Sequence, residues 1–67
     1  MKELKHLRIQ NKLTCKDMAL KLNISKPFYW QIENNQRRLT YDMAVKIAKV
    51  FNTTPDKIFF NEFKNKA

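Results

Sequence analysis

Thr14-Cys15-Lys16-Asp17-Met18-Ala19-Leu20-Lys21-Leu22-Asn23-Ile24-Ser25-Lys26-Pro27-Phe28-Tyr29-Trp30-Gln31-Ile32-Glu33-Asn34 reads as two short helices joined by a tight turn, with the remaining chain arranged to hold them. The Thr14 hydroxyl can accept from the free N–H groups of an opening turn, and Asp17 three residues on makes a capping-box-like partner at the positive helix end. Met18, Ala19 and Leu22 recur at helical spacing and form the expected buried stripe. The chain contains no glycine, so Asn23 is the best residue available for a left-handed position that ends the first helix. Ile24 fits the wedge between the helices. Ser25 supplies a second N-cap and Pro27 falls in the next first turn, where its missing N–H costs little, which predicts a helix over residues 26–34.

Ala19 is small where two steeply crossing helices must approach, and Tyr29 and Ile32 stand three apart on the inward face of the second helix. That pattern is a helix-turn-helix. Ala19, Asn23, Ile24, Ser25 and the run Ile32-Glu33-Asn34-Asn35 resemble the phage repressor/Cro-type (XRE-like) helix-turn-helix family over residues 2–60. The usual text there is a Leu-Thr-Gln start, an Ala, a Gly-Val-Ser turn and an Ile-Glu-Asn-Gly end. Three departures stand out. Cys15 replaces a Gln that usually touches the DNA backbone, Asn23 and Asn35 replace two glycines, and Pro27-Phe28-Tyr29-Trp30 is bulkier than the customary polar and β-branched run.

A chain of 67 residues is one domain, near the lower end of what folds without staples. The lone Cys15 cannot form an internal disulfide, and one cysteine with one histidine, His6, makes no structural zinc site. No metal and no cofactor are expected. No apolar run approaches the roughly 18 residues of a membrane span, and charges occupy the start where a signal peptide needs an apolar stretch, so a cytoplasmic protein without membrane contact is the simplest expectation. The formal net charge of +8 suggests a polyanionic partner. Lysine as a mere solubilising residue, or a genome biased toward A and T, is the alternative source of that charge.

In chain order, residues 2–12 place Leu4 and Leu7 on one helical face, with Ile9 and Leu13 closing its end and His6 on the polar side. Residues 34–39 form a polar loop with Asn35 suited to a left-handed turn. Thr40 caps a longer helix whose inward stripe is Ala44, Ile47, Ala48 and Phe51, with Asp42 in its first turn. Thr54, Pro55 and Asp56 restart a short helix carrying Ile58 and Phe59 inward. The expected fold is all-α, a compact four- to five-helix repressor-like domain over residues 1–60 with a central helix-turn-helix. Residues 61–67 form a short basic tail, frayed or contacting a dimer partner through Phe60 and Phe63.

The resemblance implies an ion pair between Arg8 and Glu33 that braces the first helix against the second motif helix; two solvated surface charges are the alternative. It also implies that residues 26–34 enter the major groove of double-stranded DNA. Base contacts are then expected from Lys26, Pro27, Trp30 and Gln31, with Lys26 donating to guanine, Gln31 forking onto adenine, and Pro27 or Trp30 on thymine methyls. Backbone contacts fall to Thr14, Cys15, Lys16, Asn34, Arg37 and Arg38. One such domain presents a small interface, so a homodimer on two half-sites is implied. The competing reading is a protein-interaction module, antirepressor or antitoxin-like, that presents Phe28-Tyr29-Trp30 to a protein partner. An enzyme is disfavoured, since one Cys, one His and no phosphate-cradling glycines leave no catalytic constellation.

Overall fold

A computed structural model describes the backbone of residues 1–63 and the side chains of residues 1–60. Five helices follow one another: α1 (Lys2–Gln10), α2 (Cys15–Leu22), α3 (Lys26–Glu33), α4 (Tyr41–Val50) and α5 (Pro55–Phe63), with no strand among the described residues. Helices α2 and α3 pack on each other most extensively, α1 lies against α3 and α5, and α4 lies against α2 and α5. The expected tail over residues 61–67 and the Phe63 side chain lie outside the described residues, apart from the backbone of 61–63 that continues α5.

The helices begin where side-chain oxygens can receive orphan N–H groups. Thr14 caps α2, Ser25 caps α3 and Thr40 caps α4, each accepting from the backbone N–H three residues on. At α2 the box is reciprocal: Asp17 N–H donates to Thr14 Oγ1 at 3.0 Å, and Thr14 N–H donates to Asp17 Oδ2 at 2.9 Å.

The helix ends share one device. Lys12, Asn23, Asn35 and Asn52 all have φ between 56° and 60°, the left-handed region. Around each, the residue itself donates back to a carbonyl three positions earlier and the next residue donates five positions earlier. For α3 these are Asn35 N–H to Ile32 O at 3.3 Å and Gln36 N–H to Gln31 O at 2.7 Å. For α1 they are Lys12 to Ile9 at 2.9 Å and Leu13 to Arg8 at 3.1 Å. This is the Schellman motif, made four times without a glycine.

Leu4, Met18, Ala19, Leu22, Tyr29, Ile32, Ala44, Ile47, Ala48, Ile58 and Phe59 form the core, and Leu7, Leu13, Ile24, Leu39 and Phe51 are partly buried against it. Ile9 departs from expectation: it is 53 % exposed and closes nothing. Leu4 fixes the inward direction of α1, and at 100° per residue the positions returning to it are 7 and 8, so Arg8 takes the inward place and Ile9 is turned away. Helix α5 is bent at Phe59 (φ −114°, ψ 19°), where the ring enters the core at 1 % exposure while Phe60 remains 63 % exposed.

A left-handed conformation costs an L-residue about 1–2 kcal/mol, least for Asn and Asp, whose side chains compensate locally. Lys12 has no such compensation. Replacing it by glycine removes that cost and adds about 0.5–1 kcal/mol of backbone entropy, so Lys12→Gly is expected to raise stability by about 0.5–1 kcal/mol. Lys12→Val should lower it, both changes being read from the urea midpoint.

Candidate nucleic-acid interface

The interface is built on Glu33, in the last turn of α3 and only 4 % exposed. Arg8 Nε lies 3.1 Å from both carboxylate oxygens, Nη2 lies 3.1 Å from Oε1, and Nη1 donates to the Leu13 carbonyl at 2.8 Å. Burial alone would lower the Arg8 pKa, but the hydrogen bond and charge of Glu33 outweigh it and hold the guanidinium above its ordinary value. The Cys15 thiol donates to Glu33 Oε2 at 3.6 Å. Burial first, and the Glu33 carboxylate against the lowering influence of Arg8, keep that thiol above its usual pKa, so it is neutral near pH 7. The Cys15 side chain therefore points into the brace rather than toward a backbone phosphate. Its main-chain N–H lies in the first turn of α2, among the N–H groups that have no intrahelical acceptor.

Beside it, Thr14 and Lys16 are exposed at the same helix start. The Asp17 carboxylate, receiving the Thr14 backbone N–H and then its hydroxyl, is held below its ordinary pKa.

Helix α3 follows its Ser25 cap, which accepts from Phe28 N–H at 3.2 Å. Lys26 and Pro27 are exposed, Trp30 is 48 % exposed and Gln31 is half-buried, so the four side chains named for base contact share the outward arc of this helix. Tyr29 is fully buried, and its hydroxyl meets no hydrogen-bond geometry with another group among the described residues; burial, and next the Glu33 charge, push its pKa up. The run Phe28-Tyr29-Trp30 is thus not one surface. Helical periodicity places the middle residue in the core and its two neighbours on different sides.

Asn34 ends α3 and turns its amide back, Nδ2 donating to the Trp30 carbonyl at 2.9 Å. Left-handed Asn35 then reverses the chain, which brings Arg37 over the helix it has just left. The Arg37 guanidinium carbon stands 4.3 Å from the centroid of the Phe28 ring, and Arg37 Nε donates to Gln31 Oε1 at 3.1 Å. Arg37 is therefore fixed onto α3 and is no loose loop charge. Arg38 is exposed beside it. The cluster of Phe28, Gln31 and Arg37 has a sequence signal only in hindsight: an aromatic and a Gln three apart, followed by a left-handed residue that folds the chain back.

Among the described residues no group of three or more His, Cys, Asp or Glu could hold a metal ion, and no helix is long and apolar enough to cross a membrane. A family model described as helix-turn-helix matches residues 4–58. A Haemophilus influenzae protein described as an uncharacterized HTH-type transcriptional regulator is 46 % identical over 44 residues, 66 % of this chain and 41 % of that protein. The chain thus spans less than half the length of that relative. No solved structure matches.

Arg8→Met leaves the Glu33 carboxylate buried and uncompensated, which is expected to cost on the order of 3 kcal/mol or more. A 67-residue domain holds about 3–10 kcal/mol in total, so this variant is expected to lose roughly a third or more of its stability, read as a lowered urea midpoint by circular dichroism. Arg8→Met combined with Glu33→Leu should recover much of the loss. A second expectation concerns acid. The Asp17 pKa is depressed in the folded state, so its contribution is complete above the ordinary carboxylate value of 3.8 and is lost as pH falls from there through the lower folded value. Asp17→Asn should flatten the acid limb of a stability-against-pH curve in that window.

Proposed function

Because this chain belongs to the XRE-type helix-turn-helix family, we propose that it is a sequence-specific, DNA-binding transcriptional regulator of repressor/Cro type. The observation that supports this best is the outward arc of α3, where Lys26, Pro27, Trp30 and Gln31 stand directly after a capped helix start on a chain of net charge +8. Such a helix enters the major groove with its N-terminal residues toward base edges. Lys26 donates to guanine acceptors there, and Trp30 or Pro27 packs on thymine methyls. The first motif helix crosses the backbone, with Thr14, Lys16 and the Cys15 N–H facing phosphates, and Asn34 and Arg38 flank the far side.

A homodimer follows from the same logic. One domain of this size touches few base pairs, so useful discrimination comes from two copies on half-sites about 34 Å apart, one helical turn. The family assignment also points to a non-enzymatic protein. For a protein-interaction role through the aromatic run, Tyr29 is buried and Phe28 lies against Arg37, which leaves Trp30 as the exposed residue of the three.

The test is selection of bound sites from random duplex DNA at two salt concentrations. Enrichment of a palindrome with half-sites one turn apart is expected. Gln31→Ala should then relax preference at one base position, while Arg38→Ala should weaken binding to every sequence and reduce the salt slope by about one phosphate's worth, near 0.9 in log K against log salt. Binding that is salt-sensitive but blind to sequence would overturn the proposal.

A further inference from the structure

Resting on that DNA-binding reading, we propose that Arg37 is a specificity-determining residue that, together with Gln31, selects guanine, and that Phe28 is its positioning residue.

Three groups meet on one face of α3. Phe28 and Gln31 are one helical turn apart, and Arg37 returns from the loop to contact both: its guanidinium over the Phe28 ring at 4.3 Å, and its Nε–H on Gln31 Oε1 at 3.1 Å. Both contacts restrain a side chain that, on an exposed loop, would otherwise sample many rotamers. The Schellman turn at Asn35 fixes the backbone that delivers it, through the Gln36 N–H to Gln31 O bond at 2.7 Å.

The hydrogen-bonding consequence is specific. With Nε used by Gln31 and one face used by Phe28, Arg37 keeps the Nη1 and Nη2 edge without a partner among the described residues. That edge is a fork of donors. Gln31 keeps its Nε2 donors, while the Arg37 Nε–H holds the oxygen that an adenine fork would need. The adjacent cation also repels the N6–H donors of adenine. The couplet therefore presents N–H groups to the groove. Of the four bases only guanine offers two acceptors, N7 and O6, side by side on its major-groove edge. The Gln31-to-adenine contact expected from the sequence is replaced by a guanine contact shared with Arg37, whose role changes from phosphate clamp to base reader.

The experiment uses the full chain on the DNA site enriched by selection, with the base pair whose preference Gln31→Ala relaxes varied through all four possibilities. Guanine is expected at that position, and Arg37→Lys and Phe28→Leu should each reduce the preference for it by about 5- to 100-fold. Arg37 is exposed, so its substitution leaves the core intact and decides the matter alone if Phe28→Leu unfolds. In the free protein, the Arg37 side-chain protons should show an upfield ring-current shift that Phe28→Leu removes; unshifted protons overturn the platform. Adenine preferred at the Gln31 position, or equal loss on all four bases, overturns the base-reading role while leaving DNA recognition by α3 standing. No enriched sequence at all overturns the DNA-binding reading, and this inference with it.

Discussion

A carboxylate buried at the end of a helix faces two opposing fields: desolvation disfavours its charge, and the partial negative charge of the last carbonyls repels it. Glu33 is such a group, and two parts of the chain converge to hold its carboxylate. Arg8 forks onto it from α1 while donating to the Leu13 carbonyl beyond that helix, and Cys15 donates from the start of α2. The arrangement fixes α3 relative to both earlier helices. Its small net contribution to stability does not lessen that role, because the cost of losing one partner far exceeds the gain from having both. The brace also recruits Cys15 inward and thereby changes which group at the start of α2 is available to a phosphate.

The second constraint is the absence of glycine. Four helices must end and turn, and each does so through a residue with a Cβ in the left-handed region, three of them asparagines. Because the motif bonds both the turning residue and the one after it, each loop leaves its helix in a fixed direction. After α3 that direction lays Arg37 back on Phe28 and Gln31. A backbone turn chosen for lack of glycine thus governs where a cation sits on the outward face.

Much of this was legible in the sequence because its causes are local. Thr14 with Asp17, Ser25 and Thr40 announce helix starts by chemistry acting over three residues, and Met18, Ala19, Leu22, Ile32, Ala44, Ile47 and Ala48 announce buried faces by spacing. Asn23 and Asn35 announced left-handed turns; Lys12 did not, since lysine has no side-chain preference for that region and only the chain path demands it. Ile9 looked inward because its hydrophobicity masked the claim of Arg8 on the same face. The meeting of Arg37, Phe28 and Gln31, and the inward turn of Cys15, depend on tertiary geometry that periodicity does not encode. The pairing of Arg8 with Glu33 came from family likeness, as no spacing rule joins positions 25 apart.

That separation has a kinetic meaning. Most contacts here join neighbours in sequence, above all α2 with α3, so the helix-turn-helix can assemble early at little loop-closure cost. The pairing of Arg8 with Glu33 closes 25 residues of chain and so costs more loop-closure entropy than the contacts inside the helix-turn-helix. Interactions completed after the folding barrier act on the rate of escape and hardly on the rate of arrival. A brace completed after that barrier would lengthen the life of the folded molecule, and α3 keeps its orientation while Arg8 and Glu33 stay paired.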